Sequence, residues 1–241
     1  MNIKNNLKIS IMKKLFILSA LAAFLFSCSG GSDTGVPSEE PVQEEVAQNT
    51  TEVVMVAEPV FNIVTNMGTI KVKLYEDTPL HKENFCKLVE SNFYNGIKFH
   101  RIIKGFMIQV GDPNTKDPNA SPKQYGFGGP GYTIPAEILP NHTHIKGALC
   151  AARKGDAANP AKESNGSQIY LVQDAAGCAQ LDGEYTIFGE TIEGLDVIDR
   201  IASVPTGERD LPVNDIIIEK IEQVLPETPA ETPAETQTNA Q

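Results

Sequence analysis

The residues best suited to chemistry lie close together, in two short apolar segments joined by a Lys-Gly turn. Arg101 lies on the first segment, Gln109 lies on the second, and Phe106 and Met107 stand between them. An arginine guanidinium stays charged and presents its hydrogen-bond donors in a rigid plane. This stretch therefore offers a fixed donor beside apolar side chains, which suits electrostatic stabilisation of a reacting group and needs no nucleophile.

The direction of each side chain in this stretch follows from the alternation of side chains along a strand. Arg101 and Ile103 are predicted to share one face of the first segment. Met107 and Gln109 are predicted to share one face of the second segment. The opposite face of that segment is predicted to carry Phe106, Ile108 and Val110.

The histidines suggest little further chemistry. His142 and His144 form an i, i+2 pair in an expected loop, without acidic or cysteine partners at ligand spacing, so no metal site is predicted. His100 precedes Arg101, is expected on the opposite face, and is interpreted as structural.

The cysteines leave their pairing open. Apart from Cys28, the chain has three of them, Cys86, Cys150 and Cys178. Because three is an odd number, at least one stays free or pairs between chains. The sequence does not select a disulfide pair, and buried small thiols are an equally good interpretation of Cys86 and Cys150.

The elements that must position the arginine are mostly short strands, between residues 59 and 225. Phe61–Thr65 and Thr69–Tyr75 are predicted to form a hairpin, and helices are predicted to begin at Thr78-Pro79 and to span Leu195–Ala202. Further strands are expected at Gly147–Ala152, Ser167–Gln173, Thr186–Glu190 and Asp215–Val224. Many short strands with two helices indicate a closed or nearly closed antiparallel barrel that is capped by the helices.

The N-terminus has the features of a targeting segment. Residues 1–27 contain a basic start and the apolar stretch Leu15–Phe26, which is shorter than the roughly 20 residues of a membrane-spanning helix. The sequence Leu-Phe-Ser-Cys that ends at Cys28 resembles the bacterial lipobox, which predicts a lipoprotein signal peptide and lipidation of Cys28. A plain secretory signal is the alternative, and Met12 is an alternative start.

Acidic, low-complexity segments flank the domain on both sides. Residues 28–58 contain seven acidic and no basic residues and are predicted to form a disordered tether, and residues 226–241 are predicted to form a low-complexity acidic tail. Residues 59–225 hold sixteen basic and twenty-one acidic residues, a net charge of −5. An acidic domain without a basic stripe argues against nucleic-acid binding.

The whole stretch from Phe99 to Asp112 resembles the signature segment of the cyclophilins, the peptidyl-prolyl cis-trans isomerases. Four further segments resemble that family in the same order along the chain, and the resemblance covers residues 61–224. They are Gly128–Pro135, Gly147–Ala152, Ser164–Val172 and Leu181–Gly189. The resemblance implies a mostly β fold, an eight-stranded antiparallel barrel capped by two α-helices.

The implied reaction is rotation about X-Pro peptide bonds, with no cofactor, metal or covalent intermediate. The barrier of ~18–20 kcal/mol comes from amide resonance, which is lost as the bond twists. The prolyl nitrogen of the twisted amide gains a lone pair, and Arg101 would donate to it. By the same resemblance, Phe106 and Gln109 complete the catalytic set, with Gln109 steadying the guanidinium. The implied substrate-binding residues are Met107, Ala152, Gln168, Tyr170, Leu181 and Tyr185.

The sequence departs from the familiar pattern at the edge of the groove. Tyr170 and Tyr185 stand where phenylalanine and histidine are common, and Arg153 stands in place of an asparagine. Gln180 replaces the tryptophan with which the best-known eukaryotic members bind cyclosporin, so high cyclosporin affinity is not expected.

The predicted function is assistance to the folding of exported proteins by a monomeric enzyme of the bacterial cell envelope. Its expected partners are proline-containing polypeptides and the lipid bilayer, which it would hold through acylated Cys28. Two alternatives are a chaperone module that binds proline segments with incidental catalysis, and a scaffold module in an envelope complex. Arg101 favours the enzyme, because a pure binder needs no cation beside the twisting nitrogen.

Overall fold

The structure is a computed structural model, and it describes residues 52–225. The predicted signal peptide, Cys28, most of the predicted tether and the predicted tail lie outside the described residues. The strands are β1 Val60–Thr65, β2 Gly68–Leu74, β3 Arg101–Ile103, β4 Met107–Val110, β5 Thr133–Ile134, β6 Ala148–Ala151, β7 Ser164–Asn165, β8 Ile169–Val172, β9 Ile187–Glu193 and β10 Ile218–Val224. The α-helices are α1 Pro79–Glu90, α2 Ala175–Cys178 and α3 Leu195–Ala202.

Eight of these strands form one curled antiparallel sheet in the order β10-β1-β2-β9-β6-β8-β4-β3, and β5 pairs with β7. At the two edges, the backbone N–H of Phe99 donates to the carbonyl of Ile216, and that of Ile218 donates to the carbonyl of Ile97, both at 2.9 Å. These bonds join the approach to β3 with the approach to β10, so the sheet nearly closes. The predicted antiparallel barrel is confirmed.

Helix α1 begins where the Thr-Pro pair predicts, but its first turn is held by a distant residue. Thr78 occupies the N-cap position without a side-chain capping bond. The backbone N–H groups of Leu80 and His81 donate instead to the Glu137 carboxylate, at 2.9 and 3.0 Å. The first N–H groups of a helix lack partners within it, and a carboxylate there also complements the helix dipole. Glu137 therefore takes the capping role expected of Thr78.

Of the other two helices, α3 could be predicted from the sequence and α2 could not. Helix α3 spans the predicted residues, with Val197, Ile198 and Ile201 buried on one side. The single turn of α2 was not predicted; the Asp174 side chain caps it by accepting from the backbone N–H of Ala176 at 2.9 Å. A turn of this length has no hydrophobic period that a sequence could reveal.

The core consists of two apolar clusters. The larger one packs α1 and α3 against the sheet, with the ring of Phe85 next to those of Phe61 and Phe188. The smaller cluster lies under β4, β6 and β8 and contains Met107, Cys150, Tyr170, Cys178 and Ile187 among its buried members. Each large apolar side chain that is fully buried contributes about 1.5–3 kcal/mol. The smaller cluster forms the floor of the candidate site.

The last part of the predicted tether lies against the domain. Val53 packs on the larger cluster, and Gln223 of β10 both accepts from the backbone N–H of Val54 and donates to its carbonyl, each at 2.6 Å. The chain thus contacts the domain before the boundary predicted at residue 59. Between residues 52 and 225, no helix has the length and apolar character needed to cross a membrane.

Candidate active site

The pairing of β3 with β4 places the two polar residues of the signature stretch side by side. Arg101 lies directly opposite Gln109, and Ile103 lies opposite Met107. Ile102 and Ile108 are buried in the larger cluster. Because neighbouring side chains alternate between the faces of a sheet, the Arg101–Gln109 pair lies on the face away from that cluster.

Phe106 lies on a different face from the one predicted. Its backbone N–H donates to the carbonyl of Ile103 at 3.1 Å, so Phe106 belongs to the turn that precedes β4. The alternation used for the prediction holds only within a strand. Phe106 therefore packs beside Met107 and not with Ile108 and Val110, which lie in the other cluster.

A cavity of about 120 Å³ lies on the face that carries Arg101. It is much smaller than the roughly 300–1,000 Å³ of sites for larger ligands, so it suits one small apolar ring or side chain. Eight of the nine predicted active-site residues line it, together with Arg153. They are Arg101, Phe106, Met107, Gln109, Ala152, Tyr170, Leu181 and Tyr185.

The ninth residue, Gln168, lies in an adjoining cavity of about 420 Å³ that Gln109 and Ala152 also line. The amide nitrogen of Gln109 donates to the side-chain oxygen of Gln168 at 2.9 Å, and the amide nitrogen of Gln168 donates to the carbonyl of Gly128 at 2.7 Å. Gln109 was expected to steady the Arg101 guanidinium. In the structure its amide nitrogen donates to Gln168, and its amide oxygen is the atom that could accept from a guanidinium.

Gly128 is itself held in place by a buried carboxylate. Asp112 accepts from the backbone N–H groups of Asn114, Gly126 and Gly128, at 2.8, 2.5 and 3.1 Å. A Cβ atom on Gly128 would lie 2.1 Å from the Asp112 side chain, so only glycine fits there. Asp112 therefore positions Gly128, which positions Gln168 and, through it, Gln109.

Two arginines border the small cavity in different states. Arg153 has a side chain that is 4% exposed; its guanidinium lies 4.4 Å from the Tyr185 ring centre, and it donates to the Glu184 carbonyl at 2.9 Å and to Asp156 at 2.6 Å. Arg101 has a side chain that is 42% exposed. Arg153 forms a wall, whereas Arg101 remains accessible to an incoming group.

Comparisons with known proteins identify the family and the fold of this chain. Residues 60–223 match the family model described as cyclophilin type peptidyl-prolyl cis-trans isomerase/CLD. The chain belongs to the cyclophilin family.

Individual cyclophilins show how far the likeness extends. The chain is 38% identical over 161 residues to peptidyl-prolyl cis-trans isomerase-like 3 of Dictyostelium discoideum, covering 65% of this chain and 90% of the relative. It is also 38% identical over 163 residues to peptidyl-prolyl cis-trans isomerase-like 2 of Rhizopus delemar, covering 66% of this chain and 28% of that relative, of which it thus spans a little over a quarter.

A solved cyclophilin, the cyclophilin type peptidyl-prolyl cis-trans isomerase of Cryptosporidium parvum, superimposes with a TM-score of 0.61. It is 32% identical and covers 70% of this chain and 99% of the other. A second structure of that protein was determined in the presence of the dipeptide Ala-Pro. The family establishes the class of enzyme as peptidyl-prolyl cis-trans isomerase, EC 5.2.1.8.

Tyr170, which replaces the phenylalanine common in cyclophilins, turns its hydroxyl away from the cavity. That hydroxyl lies 2.8 Å from His144 Nε2, and His144 Nδ1 lies 2.6 Å from the Asp182 carboxylate. A carboxylate only accepts, so in a neutral imidazole Nδ1 donates to Asp182 and Nε2 accepts from Tyr170. Burial raises the pKa of the Tyr170 phenol well above its usual range. The cavity therefore meets an aromatic face.

His100 borders a third cavity and does not lie wholly on the opposite face from Arg101. This cavity, about 500 Å³, is lined by His100, Arg101, Gln109 and residues 207–209 and 211–213 of a distant loop. His100 is buried, and among the described residues neither ring nitrogen finds a hydrogen-bond partner of normal geometry. Burial lowers the pKa of His100 to about 4.

The histidines of the i, i+2 pair have acidic partners, and the described cysteines form no disulfide. His142 lies 2.9 Å from Asp77, and His144 pairs with Asp182 in another direction, so the i, i+2 pair does not converge. In the described part of the chain no cluster of three or more histidine, cysteine or acidic groups could hold a metal ion. The three described cysteines, Cys86, Cys150 and Cys178, are buried and free.

Two charged residues that touch the site were absent from the predicted set. In the sequence, Arg153 stands out only as a departure from the family pattern, and Asp210 belongs to none of the motifs. Asp210 lies more than 100 positions after Arg101 in the sequence, yet its carboxylate lies 3.4 Å from Arg101 Nε. Their separation along the chain explains the omission, since no local spacing connects them.

Proposed function

We propose that this enzyme accelerates X-Pro isomerisation by stabilising the twisted amide with Arg101. Resonance is lost as the C–N bond rotates, and the prolyl nitrogen becomes a hydrogen-bond acceptor. A donor that meets this nitrogen only in the twisted form lowers the barrier without tightening ground-state binding. A guanidinium suits the role because it carries five donors and stays charged.

The small cavity would hold the proline ring while the preceding residue rotates. Its lining of Phe106, Met107, Leu181 and Tyr185 is apolar or aromatic, and its volume of about 120 Å³ suits one small ring. The observation that carries the proposal is the position of Arg101, which borders this cavity and is still 42% exposed. A ring fixed in the cavity would place its nitrogen on the side from which the guanidinium approaches.

The direct test is a prolyl cis-trans exchange assay on the full chain, kept in detergent because of its apolar N-terminal stretch. Arg101→Ala should lower kcat/KM by about 100-fold or more, comparable with the loss of one transition-state donor. Arg101→Lys keeps the charge but loses the planar set of donors, and should remain at least about tenfold slower than wild type. Circular dichroism and thermal melting check that both variants stay folded.

Two outcomes would contradict the proposal. Undiminished exchange by folded Arg101→Ala would remove Arg101 from the mechanism. A folded but inert wild type would favour the alternative in which the groove only binds proline segments.

We further propose that the enzyme works at the bacterial cell envelope, held by lipid on Cys28, and assists the folding of exported polypeptides. The lipobox-like sequence before Cys28 and the acidic, low-complexity segment after it support a tethered domain. Radiolabelled palmitate should label the wild type, and Cys28→Ser should lose both the label and sedimentation with membranes. A Cys28→Ser variant that stays labelled would contradict lipidation at that residue.

The domain should act as a monomer, because one chain supplies every residue that lines the small cavity. Light scattering after size-exclusion chromatography would show this for detergent-free protein that begins at Ser29. A stable dimer would contradict it.

A further inference from the structure

Arg101 has an acidic partner that belongs to a distant loop. Its Nε lies 3.4 Å from a carboxylate oxygen of Asp210, and the two side chains are 42% and 45% exposed. Asp210 is the last residue of a short 3-10 turn, Glu208–Asp210, between α3 and β10. The first two residues of this turn, Glu208 and Arg209, line the cavity of about 500 Å³ that Arg101 also borders.

The backbone of this turn is in an unfavourable conformation. Arg209 and Asp210 have φ angles of 60° and 61°, two consecutive left-handed residues that are not glycine. Such residues persist only where the surroundings hold them, and they cluster at functional sites. The loop closes on itself nearby, since the Gly207 N–H donates to the Leu211 carbonyl at 2.8 Å and the Val213 N–H donates to the Pro205 carbonyl at 2.9 Å.

Arg209 joins the strained turn to three other residues that line the same cavity of about 500 Å³. Its guanidinium donates to the carbonyls of Pro122, Lys123 and Tyr125, at 3.3, 2.9 and 2.9 Å. The same guanidinium lies 5.4 Å from the centre of the Phe127 ring. Three bonds from one planar group to one loop fix both position and orientation. Arg209 therefore anchors the turn, and Asp210, the next residue, is directed to Arg101.

We infer that Asp210 is a positioning residue for catalysis: it holds the guanidinium plane of Arg101 in the orientation that meets the twisted prolyl amide. The inference rests on the proposed role of Arg101. The contact is made through Nε, the nitrogen nearest the aliphatic stem, and the two terminal nitrogens still carry four N–H donors for substrate. Arg209 acts one step further away, by holding the turn that carries Asp210.

Stability gives little reason for this arrangement. Exposed ion pairs contribute little to folding, because water screens the attraction and both side chains lose conformational freedom. A strained turn directed toward such a pair is better explained by the orientation of Arg101, since small misplacements of a catalytic group have large effects on rate. Gln109 does not take this role, because no hydrogen bond joins it to Arg101 in the described part of the chain, where the charged partner of Arg101 is Asp210.

The test compares Asp210→Asn with wild type in the exchange assay, using the full chain in detergent. We expect kcat to fall by about 3- to 10-fold with KM changed by less than about twofold, because orientation matters in the transition state more than in substrate binding. The melting temperature should move by less than about 2 °C. Asp210→Glu, which restores the carboxylate on a longer stem, should recover part of the rate.

A matched control is available on the same loop. Asp215 is also an exposed aspartate paired with a basic residue, Lys98, at 2.7 Å, but Lys98, unlike Arg101, lines none of the three cavities at the site. Asp215→Asn should leave kcat unchanged. In NMR spectra, the Arg101 Nε–H signal should shift and exchange faster with water in Asp210→Asn and stay in place in Asp215→Asn.

The possible outcomes separate this inference from the proposed function. Active wild type with an equally active Asp210→Asn variant would overturn the positioning role and leave the Arg101 mechanism intact. A fall in kcat that Asp215→Asn reproduces would also overturn it, since the effect would then be one of general charge. An inert wild type would overturn both.

Discussion

Two polar constellations in this domain have residue types and distances that suit catalysis, but they differ in how accessible they are to a substrate. In one, His81 lies 2.6 Å from Glu137 through Nδ1 and 2.9 Å from Ser164 through Nε2, the order of acid, base and hydroxyl that many hydrolases use. In the other, Arg101 borders a cavity and pairs loosely with Asp210. Only the second is open to a substrate.

The buried constellation is closed to solvent, and its polar groups already have hydrogen-bond partners. His81 and Ser164 are 2% and 1% exposed, and the nearest cavity, of about 10 Å³, has room for about one water molecule. Glu137 also accepts from the first two N–H groups of α1. Burial lowers the pKa of His81, against the raising effect of Glu137. This arrangement fastens α1 to the strand β7.

The exposed constellation has the opposite properties. Arg101 is partly solvated, its acidic partner contacts one of three nitrogens, and apolar walls stand next to it. The comparison teaches that residue types and distances do not identify a catalytic group by themselves. A catalytic group must also be accessible to substrate and have hydrogen-bonding capacity left over. Substitutions in the two constellations should therefore have contrasting effects on activity and stability.

The largest expected effect on stability comes from Glu137→Ala. It removes the cap of α1 and the partner of His81 together, so the free energy of unfolding should fall by about 4 kcal/mol. Activity per folded molecule should stay within about twofold, the reverse of the Arg101 variants. Urea unfolding and active-fraction titration measure the two quantities. Glu83→Ala on the exposed side of α1 is the control and should leave the unfolding midpoint unchanged.

Acidification should destabilise the domain through His100. Burial, helped by Arg101 and Arg209 and opposed by Asp112, lowers the pKa of His100 from 6.5 to about 4. Above pH 6.5 the ring is neutral in both states; between pH 6.5 and 4 only the unfolded chain takes up the proton, so stability falls with pH. The His100 contribution amounts to about 3 kcal/mol, and it levels off once the folded state is protonated too.

The pH dependence can be assigned by comparing variants in urea unfolding at pH 7 and pH 4.5. His100→Asn should lose much of the slope, and His81, whose pKa is also lowered, should account for part of the remainder. An unchanged slope in folded His100→Asn would show that His100 does not carry it.

Ser164→Ala sharpens the comparison at the hydroxyl itself. The change leaves His81 Nε2 without its partner, so we expect a loss of about 2 kcal/mol in unfolding free energy and unchanged isomerase activity. A fluorophosphonate probe should fail to label the wild type, because Ser164 is buried. Labelling that Ser164→Ala abolishes would show that the buried constellation does open to reagents.

The smallest effect is expected from Tyr170→Phe, at the boundary between cavity and core. The hydroxyl points to His144 and not to the cavity, so the exchange rate should change by less than about twofold. The loss of one buried hydrogen bond should cost about 1 kcal/mol, measured by thermal unfolding. A large loss of activity would show that the hydroxyl contributes to the site.

Much of the fold could be predicted because its signals are local. The first hairpin, the start of α1 and the whole of α3 follow from alternation, the Thr-Pro pair and helical spacing, and the structure confirms them. Local rules failed where a turn interrupts a strand, as at Phe106, and where a side chain from elsewhere does the work, as when Glu137 caps α1 in place of Thr78.

The candidate site divides in the same way. The resemblance of five segments to one family named the residues that line the small cavity, although the cavity itself could not be foreseen. Arg153 stood out only as an unusual residue, and its stacking on Tyr185 depends on a contact 32 positions away. Asp210 and the strained turn that contains it belong to no sequence motif that could have predicted them.

By itself, the sequence determined the class of fold, the family and the identity of the arginine, because strand alternation, helix signals and motif order are properties of neighbouring residues. Only the tertiary structure decided which polar groups are usable. It sealed the Glu137–His81–Ser164 chain, turned the Tyr170 hydroxyl outward from the cavity, and brought Asp210 to Arg101. These outcomes depend on burial and on contacts between distant segments, and such contacts exist only once the sheet has curled and its loops have met.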